Sequence, residues 1–466
     1  MSKMAENRSS IPTELGTEKI GKLLKQYALP AIIAQTAASL YNMVDSIFIG
    51  QGVGPLAISG LAVTFPLMNL SVAFGTLVGA GAATMLSVLL GQRNYKAANK
   101  VLGNVVSLNV IIGLLFMIAS LVFIDPILYF FGASENTLPY AKEYMTIILY
   151  GNIITHLYFG LNAAIRSSGN PKKAMILTIF TVILNTILDP IFIFVFDMGI
   201  AGAAWATVLS QTVAMFVVMK HFSDRSRAFH FERGIFKLDM RVAKDSLAIG
   251  MGPFLMNAAA CLVTLFINQQ MRDYSGDLGI GAYGICNRII FMFIMICMGL
   301  NQGMQPIAGY NYGAKQYTRV KEVFWKTAKA ATVVTTLCFI IGMFSPRAAA
   351  GIFTHDEQLL EMSARGMRLL TIMFPVVGFQ MIGTNFFQSL GMVKKSIILS
   401  LSRQILFLLP MLYLLPLKFA SDGVWLSFPV SDIAAALLTA ILLGKLFKKF
   451  NKLQDGEEAH NLGSNL

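Results

Sequence analysis

The chain has 466 residues, of which 55% are hydrophobic and only 13% charged, with a mean hydropathy of +0.64 and a formal net charge of +13. Soluble domains carry charge on about 25% of their residues, so a water-soluble globular protein is excluded. The four cysteines (Cys261, Cys286, Cys297 and Cys338) all fall in apolar runs without a CxxC pair, which argues against a disulfide framework and against a zinc site.

In chain order, residues 1–21 are polar and read as a short tail with no cleavable signal before the first span. Twelve apolar runs follow, at about 22–49, 56–90, 101–124, 139–165, 172–196, 199–221, 242–270, 279–308, 323–345, 357–389, 394–416 and 422–446. Each approaches or exceeds the ~20 residues a helix needs to cross the hydrocarbon. The chain is therefore read as an all-α polytopic membrane protein; a β-barrel would show short alternating segments instead. Pro30, inside the first run, removes a backbone hydrogen bond and marks a bend.

The positive charge is unevenly placed. If the spans alternate from a cytoplasmic N-terminus, 30 of the 37 Lys and Arg fall on the cytoplasmic side, in the N-terminal tail and at 93–100, 166–173, 220–244, 315–329, 394–403 and 445–452. The other seven are Lys142, Arg272, Arg288, Arg347, Arg365, Arg368 and Lys418. This is the positive-inside bias and puts both termini in the cytoplasm. The basic excess reports topology and does not imply a nucleic-acid partner.

The two halves repeat. GQRNYKAANKVL from Gly91 matches GAKQYTRVKEVF from Gly313, and GNPKKAMILTI from Gly169 matches GMVKKSIILSL from Gly391, both at an offset of 222. Phe131 and Phe353 share that offset, and Trp205 and Trp425 lie 220 apart. The organisation is read as a cytoplasmic N-terminal tail (1–21), an N-lobe of six spans (22–221), a cytoplasmic linker (222–241), a C-lobe of six spans (242–446) and a cytoplasmic C-terminal tail (447–466). Six is even, so both copies have the same orientation, related by an axis along the membrane normal. That is an architecture of secondary transporters working by alternating access. There is no GxxxxGK[ST], so ATP is not the direct energy source.

One polar group stands out within LNTILDPIFIF (184–194). Asn185 and Asp189 are four residues apart and share a helix face. An intramembrane carboxylate is a functional site by default. At ~1.5 Å per residue, Asp189 and Thr207 both lie roughly 12 Å below the outer end of their spans, and Asp45 roughly 6–8 Å. Two carboxylates, an amide and a hydroxyl in one lobe suit a hard cation such as Na⁺, held by Asp45 and Asp189, or a proton. At the duplicated positions stand Ile267, Phe407 and Met411, so this chemistry belongs to the first half alone.

At these residues the chain resembles a known family. YNMVDSIFIG (41–50), LNTILDPIFIF and GIAGAAWATVLSQ (199–211), with the G-[basic]-x-x-Y loops after the second and eighth spans, resemble the multidrug and toxic compound extrusion (MATE) family, in its DinF-like and MepA-like branches. The resemblance covers the whole chain. It implies export of amphipathic, often cationic drugs or toxic compounds in exchange for Na⁺ or H⁺. It also implies coupling roles for Asp45, Asn185, Asp189 and Thr207, and adds Asn162 in GLNAAIRSSG as a fourth-span member of the network. The NorM-like branch carries acids in the seventh and tenth spans; here the seventh offers only Asn257, Asn268 and Gln269.

Other residues are assigned more simply. Gln35 and Tyr41 are candidates for the substrate cleft, and His156 is read as hydrogen-bonded packing. Arg288 and Asp432, roughly 14 and 15 Å below their outer ends, are expected to pair in the C-lobe near the cleft, with Arg365 and Arg368 as rival partners. No enzyme activity and no cofactor beyond the coupling ion are expected. The partners are small organic compounds and membrane lipids, the site is a bacterial cytoplasmic membrane, and a monomer is expected. A flippase for lipid-linked precursors is the alternative; it would call for a more cationic cleft.

Overall fold

The computed structural model describes residues 12–457 apart from 226–228, 232–233, 235–236 and 354–355. Arg227 and Arg233 of the linker, residues 1–11 and residues 458–466 therefore lie outside the described residues. Every regular element among the described residues is helical. A helix satisfies its own backbone hydrogen bonds, which is what a chain this apolar requires in lipid.

The first half contains α1 (Glu14–Thr17), α2 (Ile20–Gly52), α3 (Pro55–Gly91), α4 (Tyr95–Val122), α5 (Ile124–Phe130), α6 (Leu138–Ser167), α7 (Pro171–Pro190) and α8 (Gly199–Ser223). A π-helical turn, Ile191–Val195, extends α7. The second half contains α9 (Met240–Gly276), α10 (Leu278–Gly313), α11 (Tyr317–Phe344), α12 (Pro346–Gly351), α13 (Glu357–Thr371), α14 (Phe374–Ser389), α15 (Val393–Leu401) and α16 (Leu409–Phe450). A second π turn, Ser402–Leu408, joins α15 to α16, and α16 breaks at Ala420. By length and apolarity nine helices among the described residues could each cross a membrane, and the bent pair α13–α14 makes ten. The segment Val393–Phe450 holds two crossings, separated by the break at Ala420. α6 has the length of a span, 30 residues, and is made less apolar by Lys142, Glu143, His156 and Arg166. The layout is the expected twelve.

The duplication is visible in the backbone. Left-handed conformations recur 222 residues apart at Arg93 and Lys315, at Gly169 and Gly391, and at Gly54 and Gly276. Each of the first two pairs closes a helix in the same way: Asn94 N–H bonds Leu89 O and Gln316 N–H bonds Asn311 O, while Asn170 N–H bonds Ile165 O and Met392 N–H bonds Phe387 O. A left-handed residue just past a helix end satisfies carbonyls that would otherwise be orphaned.

The chain divides into two compact units. The first contains Ile33–Phe254; the second runs from Leu255 onward and includes Glu18–Ile32. Thus the opening turns of α2 belong with the second unit and those of α9 with the first. The change of unit falls beside a proline in each helix, Pro30 and Pro253.

Without a hydrophobic drive between helices in lipid, close packing depends on small residues. In the first unit a Cβ on Gly81 would stand 1.9 Å from Ser246 O, and one on Gly250 would stand 1.8 Å from Leu77 O. In the second, a Cβ on Gly303 would stand 2.4 Å from the Cα of Ala28, and one on Gly299 would stand 2.6 Å from the Cα of Ile32. The two crossings share one duplicated side, since Leu77 and Gly81 lie 222 residues before Gly299 and Gly303; on the other side Ala28 and Ile32 correspond to Gly250 and Phe254, one helical turn beyond Ser246 and Gly250. Within the first unit α6 packs against α3, α4 and α8, and its polar residues are absorbed there. His156 is buried, with Nε2 at 2.9 Å from Ser71 O and 3.2 Å from Ser71 Oγ, which in turn donates to Asn152 Oδ1.

Candidate functional site

Pro190 lacks a backbone N–H, so the helical ladder cannot continue unchanged past Asp189, and the winding loosens into the Ile191–Val195 π turn. α8 then approaches through its small residues. A Cβ on Gly202 would lie 2.9 Å from the carbonyl carbon of Phe192, and Ala203 and Ala204 are buried against Ile49, Tyr144 and Ile193. That approach brings Thr207 level with Asn185.

The result is a polar cluster enclosed by apolar packing. Asp189 is fully buried and Asp45 is 5% exposed, and their carboxyl groups lie within hydrogen-bonding reach of each other. The Tyr41 hydroxyl lies 2.8 Å from Thr207 Oγ1. Asn185 fits best with its nitrogen donating to Asp189 Oδ2 at 3.0 Å and its oxygen accepting from Thr207 N at 3.0 Å and Thr207 Oγ1 at 3.2 Å. One oxygen of each acid, Oδ1 in both cases, meets no donor. Buried carboxylate oxygens are rarely left unpartnered. Together with the hydroxyl and amide oxygens they form a donor set of the kind a proton or a hard monovalent cation takes. No group of three or more His, Cys, Asp or Glu that could hold a metal ion occurs among the described residues.

The expected residues divide between this cluster and other places. Asp45, Asn185, Asp189, Thr207 and Tyr41 are brought together. Asn162 is not among them: its Nδ2 donates to Thr178 Oγ1 at 3.1 Å, and Thr178 and Thr181 both lie near the Tyr158 hydroxyl, at 3.4 and 3.3 Å. Thr178, Thr181, Asn185 and Asp189 follow one another at spacings of three, four and four, so Asn162 joins the same polar face of α7 at a lower level. Gln35 is half-buried and bonds none of these groups. Tyr144 of α6, which no sequence motif marks, is buried close to both acids. Its depth below the outer end of its span, about that of Asp45, is the signal that could have found it.

In the second unit the expected pairing is replaced by another. Asp432, 3% exposed at its side chain, accepts from Arg403 Nε at 2.7 Å, while Arg288 is exposed. Arg365 pairs with Asp422, so it does not compete for Asp432. The charge pattern places Arg403 with the cytoplasmic residues 394–403, yet the π turn Ser402–Leu408 carries it, within the long apolar segment Val393–Phe450. Helix rotation through that turn decides which cation meets Asp432, and hydropathy does not register it.

The MatE family model matches residues 30–191 and again residues 252–414, two segments whose starts are displaced by the same 222 residues as the sequence repeat. Multidrug export protein MepA of Staphylococcus aureus (strain MSSA476) is 27% identical over 439 residues, covering 93% of this chain and 97% of that protein. Its counterpart in Staphylococcus haemolyticus is 26% identical over 427 residues, covering 92% and 94%. The solved structure of the MATE multidrug transporter DinF-BH in complex with the dye rhodamine 6G is 35% identical, with a TM-score of 0.87 over 94% of this chain and 98% of that one. An outward-facing MATE transporter of the MOP superfamily gives a TM-score of 0.88 at 23% identity, over 95% and 99%, a likeness of fold. Two matches to one family model, together spanning most of the chain, and a shared twelve-helix, two-lobe architecture show that this chain belongs to the MatE family, a family of multi-pass membrane transporters and not of enzymes.

Proposed function

We propose that the protein is a secondary antiporter that exports amphipathic, mainly cationic organic compounds in exchange for H⁺ or Na⁺ across a bacterial cytoplasmic membrane. The observation that carries the reading is the buried Asp45–Asp189 pair, each acid with an oxygen left open, ringed by Asn185, Thr207 and Tyr41. Two carboxylates this close in a low-dielectric setting repel unless a proton or cation lies between them. Arrival of the ion removes the repulsion and lets the surrounding helices repack. That difference in energy is what can bias one conformation over another and release cargo outward. The names of the relatives, multidrug export proteins and a transporter bound to a dye, support the same cargo class.

The test is efflux of rhodamine 6G from liposomes holding the purified protein, with a pH gradient and a Na⁺ gradient imposed separately. One of the two gradients should drive the dye. Transport of the dye in neither case, or equally with no gradient, would overturn the antiport reading; movement of a lipid-linked precursor instead would favour a flippase. Orientation is tested by cysteine tags: Lys452→Cys should label only from the cytoplasm, and Ser134→Cys and Ser421→Cys only from outside.

A further inference from the structure

The C-terminal unit carries an ionic centre that the ion-coupling reading leaves unused. Arg403 sits on the Ser402–Leu408 π turn and gives only its Nε to Asp432. Its side chain remains 26% exposed while that of Asp432 is 3% exposed. The terminal N–H groups of the guanidinium have no protein partner, and they are not sealed from their surroundings. A purely structural buried pair needs its remaining donors satisfied by further hydrogen bonds to be stable. This one keeps half its fork available, and a charged pair at membrane depth otherwise marks a substrate or ion path. Beside it Tyr283 stacks on Phe428, with ring centroids 6.1 Å apart, and lies 6.3 Å from Trp425. Trp425 is buried in the core, so it is the half-buried Tyr283–Phe428 pair that adjoins a cation whose planar fork matches an oxyanion in geometry and charge.

We propose that Arg403 is an oxyanion-binding group, held in place by Asp432, which admits amphipathic compounds bearing a carboxylate or phosphate next to an aromatic or apolar body. This deepens the export reading, on which it rests for the transport role, by adding zwitterionic and anionic compounds to its substrates. Asp432 acts as a positioning residue. Its charge balances Arg403 against the cost of burial and occupies the Nε edge, so the outer edge faces the ligand. Asp432 itself is thereby withdrawn from binding a cationic drug.

The test compares two probes that differ at one group: rhodamine 6G, an ethyl ester, and its free carboxylic acid. Each is titrated by fluorescence anisotropy against protein in phosphatidylcholine nanodiscs and in nanodiscs containing phosphatidylglycerol. Removing Arg403 alone would strand Asp432, so the main variant is the double R403Q/D432N, which leaves no unpaired charge. Affinity for the free acid should fall by about tenfold while that for the ester is retained, the loss expected for one charge-assisted contact. Retained ester binding also shows that the variant is folded. R403K, which keeps the charge and loses the fork, should give a smaller loss. If the phosphate of a lipid is the natural oxyanion, phosphatidylglycerol will weaken binding of the acid in the wild type and not in the double variant. An unchanged ratio of acid to ester affinity in the double variant, with no effect of phosphatidylglycerol on either protein, overturns the assignment. Loss of ester efflux in the wild type would refute the export reading instead, and leave an Arg403-dependent preference for the acid standing.

Discussion

The two copies keep the same turns and the same kind of glycine-mediated helix crossing, yet they hold different ionic centres. In the first unit, Asp45 and Asp189 form an acid pair with open oxygens; 222 residues later the same positions are Ile267, buried in an apolar core, and Met411. In the second unit, Arg403 and Asp432 form a neutral pair with an open guanidinium edge, and their counterparts in the first are Thr181, at the offset of 222, and Thr212, at the offset of 220 that relates Trp205 to Trp425. The lesson is that the duplicated scaffold resides in backbone-determining positions. Left-handed turns and close glycine crossings tolerate few substitutions. Interior side chains that merely fill space can be exchanged for charge, provided a partner comes with it. One scaffold thereby holds an acid pair in one half and an arginine–aspartate pair in the other.

Neutralising the acid centre should have the largest effect on transport. Asp189→Asn keeps size and hydrogen bonding and removes the titrating group. Ion-driven dye efflux should fall to the level of empty liposomes, while dye binding persists and no longer responds to Na⁺ or to a change from about pH 6 to 8. Asp45→Asn should do the same, and Met411→Ala at the duplicated position should transport normally. A well-expressed Asp189→Asn protein with normal coupled efflux would sink the assignment.

A second test concerns the neutral pair. Asp432→Asn or Arg403→Gln alone leaves a charge without its partner and should destabilise by about 3–5 kcal/mol, while the double replacement costs much less than the two added together. Thermal unfolding in detergent measures the non-additivity; strictly additive losses would mean that the pair does not form. The same cycle on Arg288 and Asp432 should be additive.

The shared scaffold predicts parallel losses at paired glycines. Gly81→Ala and Gly303→Ala each place a methyl group against backbone, at 1.9 Å from Ser246 O and 2.4 Å from the Cα of Ala28. Each should cost about 1–3 kcal/mol of stability through forced backbone shifts. Gly444→Ala, with nothing within 4 Å, should cost nothing. Unequal effects at 81 and 303 would show that one copy has relaxed the crossing.

The smallest expected effect lies at the edge of α9. Lys100 donates to Asp239 at 3.3 Å, and with help from the Val242 and Arg241 amides it holds the Asp239 carboxyl below its usual range. The folded-state value is depressed, so this contribution is present above the unfolded value of about 3.9 and is lost as pH falls through the folded value. Asp239→Asn should lower Tm slightly at neutral pH, with the difference vanishing in acid. A difference that grows in acid would refute the assignment. At the duplicated positions stand Thr17 and Glu322, which make no such pair; Glu322 holds Lys326 on its own helix instead.

Much of the fold could be read from local signals. Apolar runs longer than the bilayer is thick can only be helices that cross it, and a constant offset of 222 between glycine-marked turns needs no knowledge of tertiary structure. The core of the acid site was legible for the same reason: Asn185 and Asp189 share a face through helix periodicity, and the depths of Asp45 and Thr207 follow from rise per residue. Partners across helices were not legible, because they depend on how each helix is rotated and how closely it approaches its neighbour. A π turn resets rotation at Arg403 and delivers it, in place of Arg288, to Asp432. A small-residue face draws α8 against α7, so Thr207 and Tyr144 close the acid site while Asn162 stops at Thr178. Glycine crossings seat the first turns of α2 and α9 in the units opposite to those their sequence order suggests. Hydropathy and periodicity act along one helix, so they decide what crosses the membrane and which face is polar. Packing acts between helices far apart in the chain, and it alone decides which polar groups meet.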